Sequence, residues 1–242
     1  MNFVDKLNAA IQTNNSLLCV GLDPDPSKFP SIFGNDPSKI FEFNKAIIDA
    51  TADLVCCYKP NSAFYEPYGA ESIEQLKQTV DYINSKYPDL PVILDAKRGD
   101  IGNTNMQYVI YAFNYINADA ITVHPYQGVK AVQPFFDDTD KGVFVLAKTS
   151  NPDSSIFQNI DVEGETLYTK VIKSFLETYP GGNCMFVAGA TYPEEMAKIR
   201  QLVGDSPLLV PGVGAQGAQI SDVVSAGVNS GGQGLIIASG RA

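Results

Sequence analysis

Four charged residues directly follow a short apolar run at residues 92–94: Asp95, Lys97, Arg98 and Asp100. Because successive side chains of a strand point to opposite faces, Asp95 and Lys97 would project on one side and Arg98 on the other. Buried charges are costly unless they are paired, so this cluster at a strand end indicates a site rather than a stabilising feature. An ammonium group fixed beside a carboxylate can stabilise developing negative charge and then donate a proton.

Other apolar runs also end in residues that could bind or react. Asp23 and Lys59 follow the first two runs. Ser150 lies in a polar segment whose hydroxyl and amide groups could bind the edge of a heterocycle or could form a solvated loop. Asp100 has an alternative role as the N-cap of a following helix. For His124, the only histidine, we expect a structural or pocket-wall role, because no His-rich metal set accompanies it.

A phosphate site is predicted near the end of the chain. Residues 211–218 form the glycine-rich segment Pro-Gly-Val-Gly-Ala-Gln-Gly-Ala, and the chain ends shortly after Gly240 and Arg241. Glycine lets the backbone approach a ligand and direct N–H groups at it, and Arg241 would supply positive charge. The glycine-rich segment alone could be an ordinary turn, but its pairing with an arginine favours phosphate binding.

Short apolar runs without polar alternation are typical of parallel strands covered on both faces. Eight such runs are present, at residues 17–22, 54–58, 92–94, 120–123, 143–147, 185–188, 208–210 and 235–237. Helical patterns occupy several of the intervals between them, at residues 38–52, 71–86, 101–115, 165–178 and 193–203.

This alternation predicts a (β/α)₈ TIM barrel, with one domain covering residues 1–242. The functional site of such a barrel lies at the carboxyl ends of its strands, which is where the charged and glycine-rich segments fall. The chain ends directly after the eighth strand, so we expect that the helix that would cover this strand is missing.

Composition excludes several classes of function. The chain has 242 residues and a formal net charge of −10, which argues against nucleic acid or an anionic membrane surface as a partner. No segment approaches the roughly 18 apolar residues of a membrane span, and the start lacks the pattern of a secretory signal, so we expect a cytoplasmic protein. The four cysteines include no Cys-x-x-Cys pair and predict neither a disulfide framework nor a zinc site.

The segment from Asp95 to Thr104, Asp-Ala-Lys-Arg-Gly-Asp-Ile-Gly-Asn-Thr, resembles the Asp-x-Lys-x-x-Asp signature of the orotidine 5′-phosphate decarboxylase family. Its Ala-Lys-Arg-Gly-Asp form is similar to the bacterial branch called type 2. Other segments agree from the first strand to the last, at residues 21–25, 58–66, 149–152, 210–217 and 239–241. The resemblance implies decarboxylation of orotidine 5′-monophosphate to uridine 5′-monophosphate in de novo pyrimidine biosynthesis, without a metal or organic cofactor.

The resemblance also implies the roles of individual residues. Lys59, Asp95 and Lys97 would form a catalytic array, completed by Asp100 of the partner subunit in a homodimer. Lys97 would stabilise negative charge at C6 of the pyrimidine and then protonate this carbon. The implied substrate-binding residues are Asp23 and the partner's Thr104 at the ribose, Ser150 at the pyrimidine edge, Gln216 between base and phosphate, and Gly240 and Arg241 at the phosphate.

Two other functions fit parts of the same pattern. Mg²⁺-dependent sugar-phosphate decarboxylases and aldolases of the same suprafamily share the Asp-x-Lys-x-x-Asp element, but they typically carry a glutamate at the position of Lys59. A lysine there would repel a divalent cation. A non-catalytic barrel that binds a nucleotide phosphate would need Arg241 but would not need Lys97 beside Asp95.

Overall fold

Eight parallel strands form a closed barrel in the computed structural model, which describes residues 1–190, 193–212 and 220–240. A two-stranded hairpin, β6–β7, lies outside the barrel sheet. The strands are β1 Leu18–Leu22, β2 Cys57–Pro60, β3 Ile93–Arg98, β4 Ala120–Val123, β5 Gly142–Lys148, β6 Asp161–Val162, β7 Glu165–Thr166, β8 Cys184–Ala188, β9 Leu208–Val210 and β10 Leu235–Ser239.

The order of the barrel strands is β2-β1-β10-β9-β8-β5-β4-β3. Two isolated bridges, Tyr58 to Val92 and Asn61 to Asp95, join β2 to β3 and close the ring. The predicted TIM barrel is therefore confirmed, and each of the eight predicted strands is present. The second strand begins at Cys57 instead of residue 54, because the chain is still turning after the preceding helix.

Helices connect most of the strands. They are α1 Phe3–Asn14, α2 Ile40–Thr51, α3 Gly69–Lys86, α4 Gly102–Val109, α5 Ser154–Gln158, α6 Leu167–Thr178, α7 Pro193–Val203 and α8 Ile220–Gly227. The five predicted helices are all present, and α4 continues as a π-helix over residues 110–115. Helices α1, α5 and α8 were not predicted from the sequence. Between β4 and β5 a 3₁₀-helix, Val129–Phe135, replaces the usual α-helix.

Helix α1 covers the amino-terminal end of the barrel. The side chain of Asn2 accepts a hydrogen bond from the Asp5 N–H at 2.9 Å and so caps the helix. Leu7 is buried on the inward face, and the ring of Phe3 meets Phe144 of β5 edge to face at 5.6 Å. With this end packed by apolar side chains, the opposite end of the barrel is left for the polar residues.

Two further sequence expectations can be compared with the fold. All four cysteines, Cys19, Cys56, Cys57 and Cys184, are buried and free. Among the described residues, no helix is both long enough and apolar enough to cross a membrane.

A single arginine joins the ends of several elements on the outer layer. The Arg200 guanidinium of α7 donates to the carbonyl oxygens of Gly227 at 2.7 Å, Gly204 at 2.6 Å, Ser206 at 2.7 Å and Gly234 at 2.6 Å. These carbonyls follow α7, end α8 and precede β10, so one planar cation satisfies groups that would otherwise lose their hydrogen bonds.

We expect Arg200→Met to lower the free energy of unfolding by at least about 2 kcal/mol, because a hydrogen bond to a charged group contributes about 1.5–3 kcal/mol. Urea unfolding followed by circular dichroism measures this loss. Lys198→Met, on the exposed side of the same helix, is the matched control and should change stability by no more than about 0.5 kcal/mol. Equal effects of the two substitutions would contradict the stabilising role of Arg200.

Candidate active site

The polar residues singled out in the sequence lie at the carboxyl ends of the barrel strands. Asp23 follows β1, Lys59 is in β2, and Asp95 and Lys97 are in β3. Gly240 directly follows β10. Parallel strands end at the same side of a barrel, so the fold brings these residues to one opening.

Asp95 is the centre of a charged array. Its Oδ2 accepts a hydrogen bond from Lys59 Nζ at 3.0 Å, and its Oδ1 accepts one from Lys97 Nζ at 2.6 Å. The Asp95 side chain is 10% exposed, whereas that of Lys97 is 52% exposed. The two lysines therefore share one carboxylate, and the Lys97 ammonium faces the opening.

The array remains charged although it is buried. Burial alone would raise the pKa of Asp95, but the ammonium groups of Lys59 and Lys97 outweigh this effect and lower the pKa to about 2. Burial alone would lower the pKa of Lys59, but the carboxylates of Asp95 and Asp23 outweigh it and raise this pKa. At neutral pH the site consequently holds an ionised carboxylate beside the Lys59 ammonium.

Arg98 lies outside the array, as the alternation of side chains along the strand predicts. Its guanidinium pairs with the Glu66 carboxylate at 2.5 Å and lies 5.2 Å from the centre of the Tyr108 ring. Strand β3 is nevertheless irregular at this point, because its pairing with β4 shifts between Leu94 and Arg98. Lys97 has a φ of 45°, in the left-handed region that residues with a β-carbon rarely adopt.

Asp23 lies where β1 and β10 end close together. A β-carbon added at Gly240 would lie 3.5 Å from Asp23 Oδ2 and 3.7 Å from the Gly21 Cα. Both are ordinary van der Waals distances, so Gly240 lies directly beside the Asp23 carboxylate. Since Asp23 also raises the pKa of Lys59, its carboxylate belongs to the same electrostatic environment as the array.

Asp100 is held on the rim of the opening by Asn105. The buried Asn105 amide accepts from the Asp100 N–H at 2.8 Å and donates to the Asp100 carbonyl at 2.5 Å and to the Ala131 carbonyl at 2.7 Å. The alternative role of Asp100 as a helix cap is wrong, because α4 begins at Gly102 and its N-cap position is Ile101.

Within residues 1–190, no hydrogen bond or ion pair joins Asp100 to Lys59, Asp95 or Lys97 of the same chain. The Asp100 carboxylate instead accepts a hydrogen bond from the N–H of the next residue at 2.7 Å. Thr104 is exposed on the first turn of α4. Within the described residues, the Asp100 and Thr104 side chains thus form no hydrogen bond or ion pair with the array of their own chain.

Ser150 lies in the segment after β5, and two neighbouring elements fix this segment. The side chain of Gln158 accepts from the Thr149 N–H at 2.9 Å and donates to Thr149 Oγ1 at 2.8 Å. A β-carbon at Gly189 would lie 2.7 Å from the Ser150 nitrogen, so glycine is required where β8 passes beneath the segment. Ser150 thus occupies a defined position rather than a freely solvated loop.

Three other sequence predictions concern the surroundings of the site. Gln216 and Arg241 lie outside the described residues, and the glycine-rich segment is described only as far as Gly212. The His124 ring packs against Gly99, where an added β-carbon would lie 2.9 Å from His124 Nε2. The structural or pocket-wall role of His124 stays a prediction.

The chain also matches a known family of proteins. Residues 16–242 match the model of the orotidine 5′-phosphate decarboxylase / HUMPS family. The chain belongs to this family. It is 53% identical to the orotidine 5′-phosphate decarboxylase of Dechloromonas aromatica and 51% identical to that of Cellvibrio japonicus, covering 100% of this chain and 89% of each relative. The solved structure of Leishmania donovani OMP decarboxylase superposes with a TM-score of 0.89 at 37% identity, covering 100% of this chain and 90% of that one.

Two residues around the family signature were missed by the sequence analysis. Thr122 of β4 bonds both Asp95 and the backbone of Lys97, and Asn105 of α4 holds Asp100. Both are common polar residues within otherwise unremarkable segments, so only their positions in the fold reveal these contacts. Among the described residues, no group of three or more His, Cys, Asp or Glu side chains could hold a metal ion.

We expect Asp95→Asn to lower the pKa of Lys59, because the substitution removes its main counter-charge while burial continues to disfavour the ammonium form. A pH titration of the Lys59 side chain by ¹⁵N NMR measures this shift. Asp81→Asn is the control and should leave the pKa of Lys59 unchanged. The carboxylate that it removes pairs with a different lysine, Lys77, at 2.5 Å on the surface of α3. An unchanged pKa of Lys59 in Asp95→Asn would show that Asp95 does not sustain its charge.

Proposed function

We propose that this chain decarboxylates orotidine 5′-monophosphate to uridine 5′-monophosphate and CO₂, a step of de novo pyrimidine biosynthesis. The observation that carries the proposal is the Lys59–Asp95–Lys97 array at the barrel opening, with contacts of 3.0 and 2.6 Å. Membership of the family and the names of relatives with about half of their residues identical support it further.

The geometry suits the chemistry of this reaction. When the bond between C6 and the carboxylate breaks, the electron pair remains on C6 in an orbital that the ring cannot delocalise. The Lys97 ammonium would stabilise this pair and then transfer one proton to C6, after which solvent returns a proton to the amine. Because the pKa of Asp95 is about 2, its carboxylate stays ionised and would repel the substrate carboxylate until CO₂ leaves.

The proposal assigns substrate contacts to residues around the array. The Asp23 carboxylate would accept hydrogen bonds from ribose hydroxyls, and Ser150 would bind the pyrimidine edge. Gly240, directly after β10, would lie at the phosphate. Arg241 and Gln216, which lie outside the described residues, are assigned to the phosphate from the sequence alone.

We further propose that the active form is a homodimer in which Asp100 and Thr104 complete the site of the other subunit. Next to them, Ile101, Met106 and Ile110 expose 61%, 42% and 43% of their surface. Met106 and Ile110 are four residues apart and share one face. An exposed apolar face beside two polar residues that do not contact their own array supports burial of this face by a second copy.

Several wider features of the enzyme belong to the same proposal. The pairing of β1 with β10 joins both ends of the chain in one barrel and supports a single domain over residues 1–242. No metal or organic cofactor is needed, because Lys97 supplies both the positive charge and the proton. We assign the enzyme to the cytoplasm, where its nucleotide substrate would be formed and used.

In excess EDTA, we expect the purified chain to convert orotidine 5′-monophosphate to uridine 5′-monophosphate. The loss of the substrate's ultraviolet absorbance measures this conversion. Lys97→Ala should lower kcat by more than about 100-fold, because it removes preorganised charge and the proton donor together. Binding of the product nucleotide should remain measurable by calorimetry. Lys77→Ala, at a lysine paired on the surface, should leave kcat unchanged.

Three outcomes would contradict the proposed reaction. Full activity of Lys97→Ala would exclude the assigned mechanism. If the folded wild-type chain left orotidine 5′-monophosphate unchanged but acted on sugar phosphates with Mg²⁺, it would belong to the metal-dependent branch of the suprafamily. Nucleotide binding without turnover of either substrate class would indicate a non-catalytic barrel.

The shared site predicts complementation between inactive chains. A mixture of Asp100→Ala and Lys97→Ala chains should regain about one quarter of the wild-type activity, because half of the randomly mixed dimers are mixed and each contains one intact site of two. Activity is measured after subunit exchange, with each variant alone as the control. If exchange is verified by mass spectrometry and activity does not return, each site is built from one chain.

A further inference from the structure

Strand β4 presents a single residue, Thr122, opposite three residues of β3. The regular pairing ends with Leu94 opposite Ile121 and resumes with Arg98 opposite Val123. Residues 95–97, which include both Asp95 and Lys97, therefore form a bulge in the strand. A bulge leaves backbone groups without their partners in the sheet, and such groups must be satisfied in another way.

The Thr122 hydroxyl replaces the missing sheet partner. Its Oγ1 accepts a hydrogen bond from the Lys97 backbone N–H at 2.9 Å and donates one to Asp95 Oδ1 at 2.9 Å. A hydroxyl has one hydrogen. Since the Lys97 N–H is a donor, the hydroxyl must accept there, and its own hydrogen goes to the Asp95 carboxylate. The direction of both hydrogen bonds is thus fixed by chemistry.

These contacts form a ring that begins and ends at Lys97. The Lys97 N–H bonds Thr122, Thr122 bonds Asp95 Oδ1, and the same oxygen accepts from Lys97 Nζ at 2.6 Å. Thr122 is 1% exposed, so water does not compete with its hydroxyl for these hydrogen bonds. Any rotation of the Asp95 carboxylate or of the Lys97 backbone breaks at least one of these hydrogen bonds.

Lys97 needs such support because of its backbone conformation. Its φ of 45° is unfavourable for a residue with a β-carbon and persists only where the surroundings hold it. The unusual backbone sets the direction in which the lysine side chain leaves the strand. The hydroxyl that stabilises this conformation consequently also determines where the ammonium stands.

We propose that Thr122 is a positioning residue for decarboxylation, holding Asp95 and the backbone of Lys97 so that the Lys97 ammonium lies at the site of developing charge. The inference rests on the proposed function and deepens it. Thr122 acts through Asp95 and Lys97, so it should affect the chemical step more than nucleotide binding.

The test compares Thr122→Val, which keeps the shape but removes the hydroxyl, with Thr122→Ser, which keeps the hydroxyl. Thr79→Val is the matched control, because buried Thr79 also donates one hydrogen bond, to the Gln75 carbonyl at 2.8 Å, and accepts one, from Asn44 at 3.2 Å, in helix α3. Steady-state kinetics with orotidine 5′-monophosphate in EDTA and calorimetric binding of uridine 5′-monophosphate are measured for each.

Thr122→Val is expected to lower kcat by about 10- to 100-fold with KM and product binding changed less than about threefold, since misplacement of a catalytic group acts mainly on the chemical step. Thr122→Ser should restore kcat to within about threefold of wild type, and Thr79→Val should leave it unchanged. If Thr122→Val does not fold, Thr122→Ala replaces it with the same expected outcome.

Three results would overturn the inference while leaving the proposed function intact. These are wild-type kcat in Thr122→Val, equal loss of kcat in Thr122→Ser and Thr122→Val, and an equal loss in Thr79→Val. An inactive wild-type chain would instead overturn the proposed function. The wild-type measurement therefore separates the two failures.

Discussion

The contact between Lys59 and Asp95 constrains the architecture of the whole site. Both side chains are largely buried, and removing either one would leave the other as an uncompensated charge. The two residues come from different strands, and the bridge between Asn61 and Asp95 is one of the two that close the barrel between these strands. The charge pair and the barrel closure therefore lie between the same two strands.

This pairing places two ammonium groups at one opening of an acidic protein. The chain has a formal net charge of −10, which would repel an anionic substrate at long range. Locally, the Asp95 carboxylate is shared by two lysines, and the Asp23 carboxylate lies in the same electrostatic environment, so the two ammonium groups are balanced by two carboxylates. Arg98 lies nearby, but its charge is offset by Glu66. Lys97 is the most exposed member of the array, so its ammonium is the charge that a ligand at the opening would meet.

The sequence predicted the fold and the members of the array better than it predicted their geometry. Continuous apolar runs marked all eight barrel strands, because each strand is covered on both faces. The alternation of side chains along a strand also predicted correctly that Asp95 and Lys97 lie on one side. That prediction assumed a regular strand. The observed bulge places Lys97 in a left-handed conformation and depends on Thr122 of another strand. Such a tertiary contact leaves no signal in local spacing.

The placement of Asp100 shows the same limit and has a consequence for assembly. Local spacing suggested a helix cap, but Asn105 in the following helix binds both the N–H and the carbonyl of Asp100. The preceding Gly99 is packed against the His124 ring, which leaves no space for a β-carbon. These contacts order the Asp100 backbone within a single chain.

A backbone that is ordered before association loses little conformational freedom when two chains meet. In the proposed dimer, the Asp100 carboxylate would enter the other subunit's array as part of a rigid segment. Its partner array is equally constrained, through the barrel closure at Asp95 and the Thr122 contacts. Both halves of the site would then be formed before they meet, so association is required to bring charges together rather than to fold either half.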